Sequence, residues 1–133
     1  MPYTVIDHTA DIGLKITGKD MSDLFLEAAR ALVIEIGADA ASSEKTLTID
    51  VEGYDYEDLL VLFLNELLFE IQTRDFRVSG FDILNLIKTN IRVSVKGTHG
   101  SKPLKVNIKA ATYHNLDIIR KRSGYETIII FDV

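Results

Sequence analysis

The segment "YEDLLVLFLNELLFEIQT", residues 56–73, constrains the fold more than any other part of this chain. Drawn as a helix that begins near Asp55, it has apolar side chains around most of its circumference and only a narrow polar stripe. A helix of this kind is stable in water when other elements cover it on several sides. We therefore expect this helix to lie at the centre of the core.

A strand and another helix are predicted ahead of it. The segment "DIGLKITG", residues 11–18, alternates apolar side chains with small or polar ones, which is typical of a half-buried strand. The segment "DMSDLFLEAARALVIEIG", residues 20–37, has apolar residues at helical spacing, with Asp20 as a suitable N-cap and Gly37 as a suitable C-terminal residue. This order indicates a strand followed by a helix.

Strand patterns dominate the rest of the chain. One predicted strand, "TLTIDVEG", lies between the two helices. Four more follow the second helix and are joined by short turns: "FRVSGFDILNLIK", "TNIRVSVKG", "PLKVNIKAATYHNLDII" and "YETIIIFDV". Two helices packed on a largely antiparallel, partly mixed β-sheet make an α+β fold. With 133 residues, 47% of them hydrophobic, we expect one domain that spans residues 1–133.

Composition excludes several classes of protein and site. Without cysteine, the chain has no disulfide, thiolate zinc site or cysteine nucleophile, so oxygen or imidazole would have to hold a metal. The start "MPYTVIDHTAD" lacks the basic and apolar parts of a signal peptide, and no apolar run reaches the ~20 residues of a membrane span. We therefore expect a cytoplasmic protein. A net charge of −5 argues against a free-standing nucleic-acid binder, although Arg120, Lys121 and Arg122 form a local basic run.

Acidic residues near the two ends of the chain are the first candidates for a site. "DHTAD", residues 7–11, combines two carboxylates, an imidazole and a hydroxyl just before a strand. Such residues most often satisfy nearby backbone groups of a turn. The alternative is a metal or acid–base site, since carboxylate oxygens suit calcium or magnesium.

The apolar tail raises a related question. "YETIIIFDV" is largely apolar on both faces, which favours a central strand whose end is held in place. Asp132 would then lie beside the terminal carboxylate of Val133. Like charges in one place repel each other unless a cation or a lysine lies between them.

Other polar residues have simpler explanations. Strand alternation would place Lys109 on one face with Lys105, and a row of lysines on a solvent-exposed face is common. Glu66 and Glu70 lie one helical turn apart, as expected for a solvated helix face. The chain has no HExxH motif, phosphate-binding glycine loop or nucleophile elbow.

Four stretches together resemble one protein family. "HTADIGL" near the start, "NELLFE" on the second helix, "KAATYHNLDI" near the end and the closing "IIIFDV" are similar to archease sequences in order and spacing, essentially from end to end. The resemblance implies a small cytoplasmic protein that assists the tRNA-splicing RNA ligase. It would promote guanylylation of the active-site histidine of the ligase, sustain multiple turnover and broaden the nucleotides that the ligase accepts, without being an enzyme itself.

The resemblance also assigns site residues and partners. The metal site of archeases uses the aspartate of the HTAD motif, the penultimate aspartate and the C-terminal residue, which here are Asp11, Asp132 and Val133. The lysine of the K-x-x-TY motif, important for ligase activation, is here Lys109. The implied cofactor is a divalent metal ion, calcium in the first place, with magnesium or manganese as alternatives. The implied partner is the ligase, with tRNA reached only through it and no membrane involved.

Two other functions are compatible with the residues alone. Paired aspartates can hold the catalytic metal of a free-standing hydrolase or nuclease, although the acidic charge and the lack of a recognisable base argue against a nuclease. The high hydrophobic content is also compatible with a general chaperone or structural module. Such a module would suppress aggregation without the ligase, and substitutions of Asp11 and Asp132 would not affect it.

Overall fold

The computed structural model describes residues 2–8, 11–100 and 102–133. Within these ranges the chain forms two helices and eight strands, in this order: β1 (Tyr3–His8), β2 (Asp11–Gly18), α1 (Met21–Ile36), β3 (Lys45–Glu52), α2 (Tyr56–Gln72), β4 (Phe76–Ile87), β5 (Asn90–His99), β6 (Ala110–Ala111), β7 (Ile119–Lys121) and β8 (Gly124–Asp132). Neither helix is long and apolar enough to cross a membrane.

Both predicted helices are confirmed, and their ends follow from local chemistry. Asp20 caps α1 by accepting a hydrogen bond from the Asp23 N–H, and Gly37 ends it in the left-handed region with φ of 72°. Asp55 caps α2 in the same way by accepting from the Asp58 N–H over 2.9 Å. These carboxylates satisfy backbone donors that have no partner within the helix.

The helices connect two sheets through a shared core. Helix α1 packs against β1, β2, β4 and β8, whereas α2 packs against α1, β3, β4, β5 and β6. The rings of Phe25 in α1 and Phe63 in α2 stack with centroids 6.4 Å apart, and both side chains are fully buried. As predicted, α2 lies at the centre of the core.

The strands divide between two antiparallel sheets. In the first, the order is β1-β2-β8-β6, with β7 also paired to β8; in the second, the order is β3-β5-β4. Among the described residues, every pairing between strands is antiparallel, and the one parallel contact is an isolated bridge between Asp39 and Val78. The α+β class with two helices and largely antiparallel pairing is confirmed, but the strands form two sheets.

Strand β8 is central in the first sheet, as its composition predicts. It pairs with β2 on one side and with β6 and β7 on the other. Thr127, Ile129 and Phe131 face the core and are buried, whereas Ile128 on the opposite face is 41% exposed. The last residues of the chain are therefore held by neighbouring strands.

The prediction of a strand over "PLKVNIKAATYHNLDII", residues 103–119, is wrong. Only the short strands β6 and β7 form near it, and most of residues 103–119 have no strand structure. Side chains of α2 bind the backbone of Ile108 and Ala111, so one side of this segment bonds to a helix where a strand neighbour was expected. A turn with Asn115 at φ of 51° then redirects the chain. Strand β1, by contrast, was not among the predicted strands.

Candidate metal centre

Strands β2 and β8 bring two carboxylates together at one end of the first sheet. The antiparallel register pairs β2 with β8 along its whole length, so Asp11, the first residue of β2, lies directly opposite Asp132, the last residue of β8. Side chains at directly opposed positions share a face, with Cβ atoms about 4.5–5.5 Å apart, and like charges there are destabilising. Asp11 is half-buried and Asp132 is exposed, so a bound group could reach both.

The HTAD stretch is described at its two ends. His8 ends β1 and Asp11 begins β2, and their backbones pair. Thr9 and Ala10 lie outside the described residues.

Val133 completes the predicted set of ligands. It follows Asp132 directly and is 41% exposed. Because β8 is paired up to Asp132, the terminal residue is held next to that carboxylate. Two residues from the end of the chain and one from near its start therefore meet at one place.

The backbone of Lys109 lies beside this pair. The Lys109 N–H donates to the Asp132 carbonyl oxygen over 2.8 Å, and Ala110 in β6 pairs with Asp132. The Thr112 N–H and hydroxyl both donate to the Ile130 carbonyl, each over 2.9 Å, and extend the attachment to β8. The Lys109 side chain is exposed at the same end of the sheet as Asp11.

Two amide side chains of α2 hold this segment from the other side. The Asn65 amide accepts from the Ala111 N–H over 2.7 Å and donates to the Ala111 carbonyl over 3.3 Å. The Gln72 amide makes the same pair of bonds with Ile108, over 2.9 and 2.7 Å. The Lys109 backbone therefore lies between two fixed peptide groups. The strand-like pattern of this segment does not indicate these contacts; the signal in the sequence is a pair of amides seven positions apart on a mostly apolar helix.

A tyrosine attaches the next part of the segment to the start of α2. The Tyr113 hydroxyl donates to Asp58 Oδ1 over 2.6 Å. This hydrogen bond, together with burial, raises the pKa of Tyr113 to about 12 from 10.0, because it stabilises the protonated phenol. Asp58 Oδ2 also accepts from the Tyr54 N–H, so its carboxylate is fixed on both sides.

The other acidic pair fits the expected solvated helix face only in part. Glu66 is exposed, whereas the Glu70 side chain is only 14% exposed. Glu70 forms an ion pair over 3.7 Å with Arg74, just beyond the end of α2.

A protein-family model matches almost the whole chain. The model described as "Archease protein family" matches residues 3–133. The chain belongs to the archease family. The archease of Methanosarcina barkeri is 32% identical over 139 residues, covering 98% of this chain and 95% of that protein. The archease of Archaeoglobus fulgidus is 29% identical over 137 residues and covers 100% of both chains.

A solved structure agrees with this assignment. The crystal structure of a Thermotoga maritima protein described as "an archease, possible chaperone" superposes with a TM-score of 0.72. It is 25% identical in sequence, and the match covers 96% of this chain and 94% of that one. The arrangement of two helices and antiparallel sheets is therefore an archease fold.

The donor atoms at the candidate site of this archease fit a hard cation. Carboxylate oxygens of Asp11 and Asp132, with the terminal residue beside them, are ligands that calcium and magnesium prefer. Within the described ranges, no group of three or more His, Cys, Asp or Glu side chains is placed to hold a metal ion. Oxygens of Val133, of water or of a partner would be suitable further ligands for a cation at this site.

Proposed function

We propose that this archease is a non-catalytic activator of the tRNA-splicing RNA ligase and promotes its guanylylation and multiple turnover. Membership in the archease family supports the assignment. The observation that carries it is the register of β2 and β8, which pairs Asp11 with Asp132 at the end of the sheet where Lys109 is attached. Residues separated by most of the chain thus form one accessible polar surface.

We propose a divalent cation, in the first place calcium, between the two aspartates. When bound, the cation supplies positive charge that neutralises these carboxylates and polarises phosphate oxygens. The contribution of the protein is to hold Asp11 and Asp132 on paired strands, so that their oxygens are already in position before the cation binds. Val133 adds an oxygen of the chain terminus next to them.

Lys109 would contact the ligase or its nucleotide. Its backbone is fixed to Asp132 while its side chain is exposed, so the ammonium can act as a point charge toward a carboxylate or a phosphate of the partner. We propose that the ligase binds at this end of the molecule. At this site the RNA would be bound by the ligase and not by this protein.

A general chaperone is the second candidate, because the Thermotoga maritima archease is described as a possible chaperone. A chaperone of this kind would protect unrelated proteins from aggregation in the absence of the ligase. It would not depend on Asp11 or Asp132, because a few surface carboxylates contribute little to non-specific apolar contacts.

Three assays distinguish these functions. The first measures single-turnover guanylylation and multiple-turnover ligation by the cognate ligase, with and without this protein. The second incubates the protein alone with RNA, nucleotides and a divalent metal, and the third measures aggregation of an unrelated unfolded protein. We expect acceleration only with the ligase. Turnover by the protein alone would indicate a hydrolase, and protection without any effect on the ligase would indicate a chaperone.

A further inference from the structure

A basic cleft lies at the opposite end of β8 from the candidate metal centre. It has a volume of about 340 Å³, and the side chains that line it include Lys19, Arg120, Lys121, Arg122, Ser123 and Tyr125. Four of these are cations and none is a carboxylate. In a chain with a net charge of −5, this is a local excess of the opposite sign.

The cleft is built by a close approach of two backbone segments. Strands β7 and β8 form a hairpin connected by Arg122 and Ser123, and Gly124 follows with φ of 143°. A Cβ at Gly124 would collide with the Gly18 carbonyl oxygen and would lie 3.0 Å from the Lys19 Cα. Glycine therefore lets the hairpin lie against the end of β2, which brings Lys19 next to the arginines.

Nearby carboxylates already have partners. An adjoining cavity is lined by Asp23, Glu27 and Glu126, and it shares five lining residues with the cleft: Lys19, Lys121, Ser123, Gly124 and Tyr125. Glu27 pairs with Arg30 over 2.6 Å, and Glu126 lies 3.5 Å from the ammonium of Lys15. Asp23 accepts from the Lys19 backbone N–H over 2.8 Å.

The cations of the cleft are less fully matched. Lys121 has a long contact of 3.8 Å with Glu126. Within the described part of the chain, no ion pair joins Lys19, Arg120 or Arg122 to a carboxylate. The positive charge of the cleft is therefore available to a ligand.

We propose that this basic cleft binds the phosphate backbone of single-stranded RNA. Arginine guanidinium groups form paired hydrogen bonds with phosphate oxygens, and lysine adds a point charge. Tyr125 lies opposite Arg120 in the hairpin and lines the cleft; its side chain is half-buried and also packs against the core, so it forms an aromatic part of the cleft wall. Cations that follow a backbone, combined with an aromatic ring, are the usual elements of single-stranded nucleic-acid binding.

This contact is separate from the proposed ligase site. Gly124 and Asp132 are the two ends of β8, so about 3.3 Å per residue places the cleft roughly 26 Å from the candidate metal centre. A strand of RNA held there would contact the protein directly. The proposal does not depend on ligase activation, and each can fail without the other.

The test measures RNA binding by the whole protein over a series of salt concentrations. The probe is a fluorescent single-stranded oligoribonucleotide of about 12 nucleotides, followed by anisotropy. Arg120→Gln/Arg122→Gln is compared with Lys45→Gln/Lys88→Gln, which also removes two positive charges, from exposed positions in β3 and in the turn between β4 and β5. We expect the arginine variant to bind the RNA more weakly. The slope of log K against log salt should also become less steep, by about 0.7 per lost phosphate contact or roughly 1.4 in total. The lysine variant should bind like the wild type.

Nuclear magnetic resonance of the wild-type protein provides a measurement that does not depend on any variant folding. The amide signals of Lys19 and residues 120–124 should shift as the same RNA is added, whereas those at Asp11 and Asp132 should not. No saturable binding, equal weakening in both variants, or shifts outside the cleft would overturn the proposal. Equal displacement of the RNA by a hexaglutamate peptide at matched ionic strength would also overturn it, and would indicate a site for acidic protein segments.

Discussion

Lys109 and Lys105 resemble each other in sequence but have different surroundings. The Lys109 N–H donates to the Asp132 carbonyl, whereas the Lys105 N–H donates to the Ile36 carbonyl at the end of α1, over 2.9 Å. Lys105 also lies near Asp39, a carboxylate outside the candidate metal centre. The pKa of Asp39 is lowered mainly by a hydrogen bond from Lys102, and the charge of Lys105 adds a small effect in the same direction. The predicted strand face shared by the two lysines does not form, because residues 105–109 are not in a strand.

Lys109→Ala is expected to reduce activation of ligase guanylylation about tenfold, since a charged hydrogen bond contributes roughly 1.5 kcal/mol or more. Calcium affinity, measured by calorimetry, should not change. Lys105→Ala is the matched control and should activate like the wild type. Equal losses in the two variants would indicate general charge steering, which added salt would then weaken in both.

The hydrogen bond between Tyr113 and Asp58 predicts a change of stability at high pH. The pKa of Tyr113 is about 12 in the folded protein and 10.0 as its ordinary value, so the folded state keeps the phenolic proton at a pH where the unfolded chain has lost it. Its contribution is therefore complete below about pH 10 and is lost as the pH rises towards 12. Because Tyr113 is 54% exposed, we expect only about 1 kcal/mol.

Urea unfolding of the wild type and Tyr113→Phe at a series of pH values measures this contribution. The wild type should be more stable below pH 10, and the difference should disappear by pH 12. Tyr54→Phe is a suitable control, since Tyr54 is 90% exposed. A stability difference that stays constant across this pH range would contradict the assignment.

Helix α2 supports the segment that carries Lys109. Its apolar residues fill the core, while Asn65 and Gln72 bind the peptide groups of Ala111 and Ile108. Ala111 is buried, so removal of the Asn65 amide would leave its N–H without a partner and away from water.

Asn65→Leu should lower the free energy of unfolding by about 1–3 kcal/mol, the usual range for an unsatisfied buried polar group. It should also weaken ligase activation, because the segment next to Asp132 would be held at fewer points. Urea unfolding and the guanylylation assay measure the two effects. Glu66→Gln, on the exposed side of the same helix, should change neither. A fully stable Asn65→Leu protein would show that the amide contacts are dispensable.

The sequence predicted the elements whose signals are local. Asp20, Gly37 and Asp55 mark helix ends, and the apolar faces of β8 predict its central position. The segment 103–119 has a strand-like composition, but its backbone bonds go to amides of α2, which are distant in sequence. Alternation alone gives no information about such contacts. The polar residues of a mostly apolar helix, here Asn65 and Gln72, are the local sign of such contacts.

For the whole molecule, the decisive feature is that both ends of the chain meet in one sheet. Periodicity assigns Asp11 and Asp132 to strands, but it does not fix which residues are opposite, and a shift by one residue would place the side chains on different faces. The family resemblance grouped the two aspartates, and the fold adds the register that opposes them. The basic run at Arg120, Lys121 and Arg122 was visible in the sequence, but its closeness to Lys19 depends on the approach at Gly124.

A C-terminal extension should impair the site while an extension at Met1 should not. Adding a few residues after Val133 moves the terminal carboxylate away and leaves only a carbonyl oxygen beside Asp132. We expect weaker calcium binding by calorimetry and weaker ligase activation, each by about tenfold or more, because loss of even the outer groups that orient a metal ligand has an effect of that size. Deletion of Val133 should have at least the same effect. Unchanged binding in both forms would remove Val133 from the site.

The most direct test of ligase activation through the aspartate pair is single-turnover guanylylation of the ligase over a series of calcium concentrations. Wild-type protein is compared with Asp11→Asn and Asp132→Asn, which keep the shape of each side chain, and with Asp82→Asn, an exposed aspartate on the second sheet, as the control. We predict that wild type and control accelerate guanylylation to a plateau as calcium rises, whereas the two site variants, still folded by circular dichroism, give no acceleration at any concentration. Acceleration by both site variants equal to that of the wild type would contradict a function based on Asp11 and Asp132.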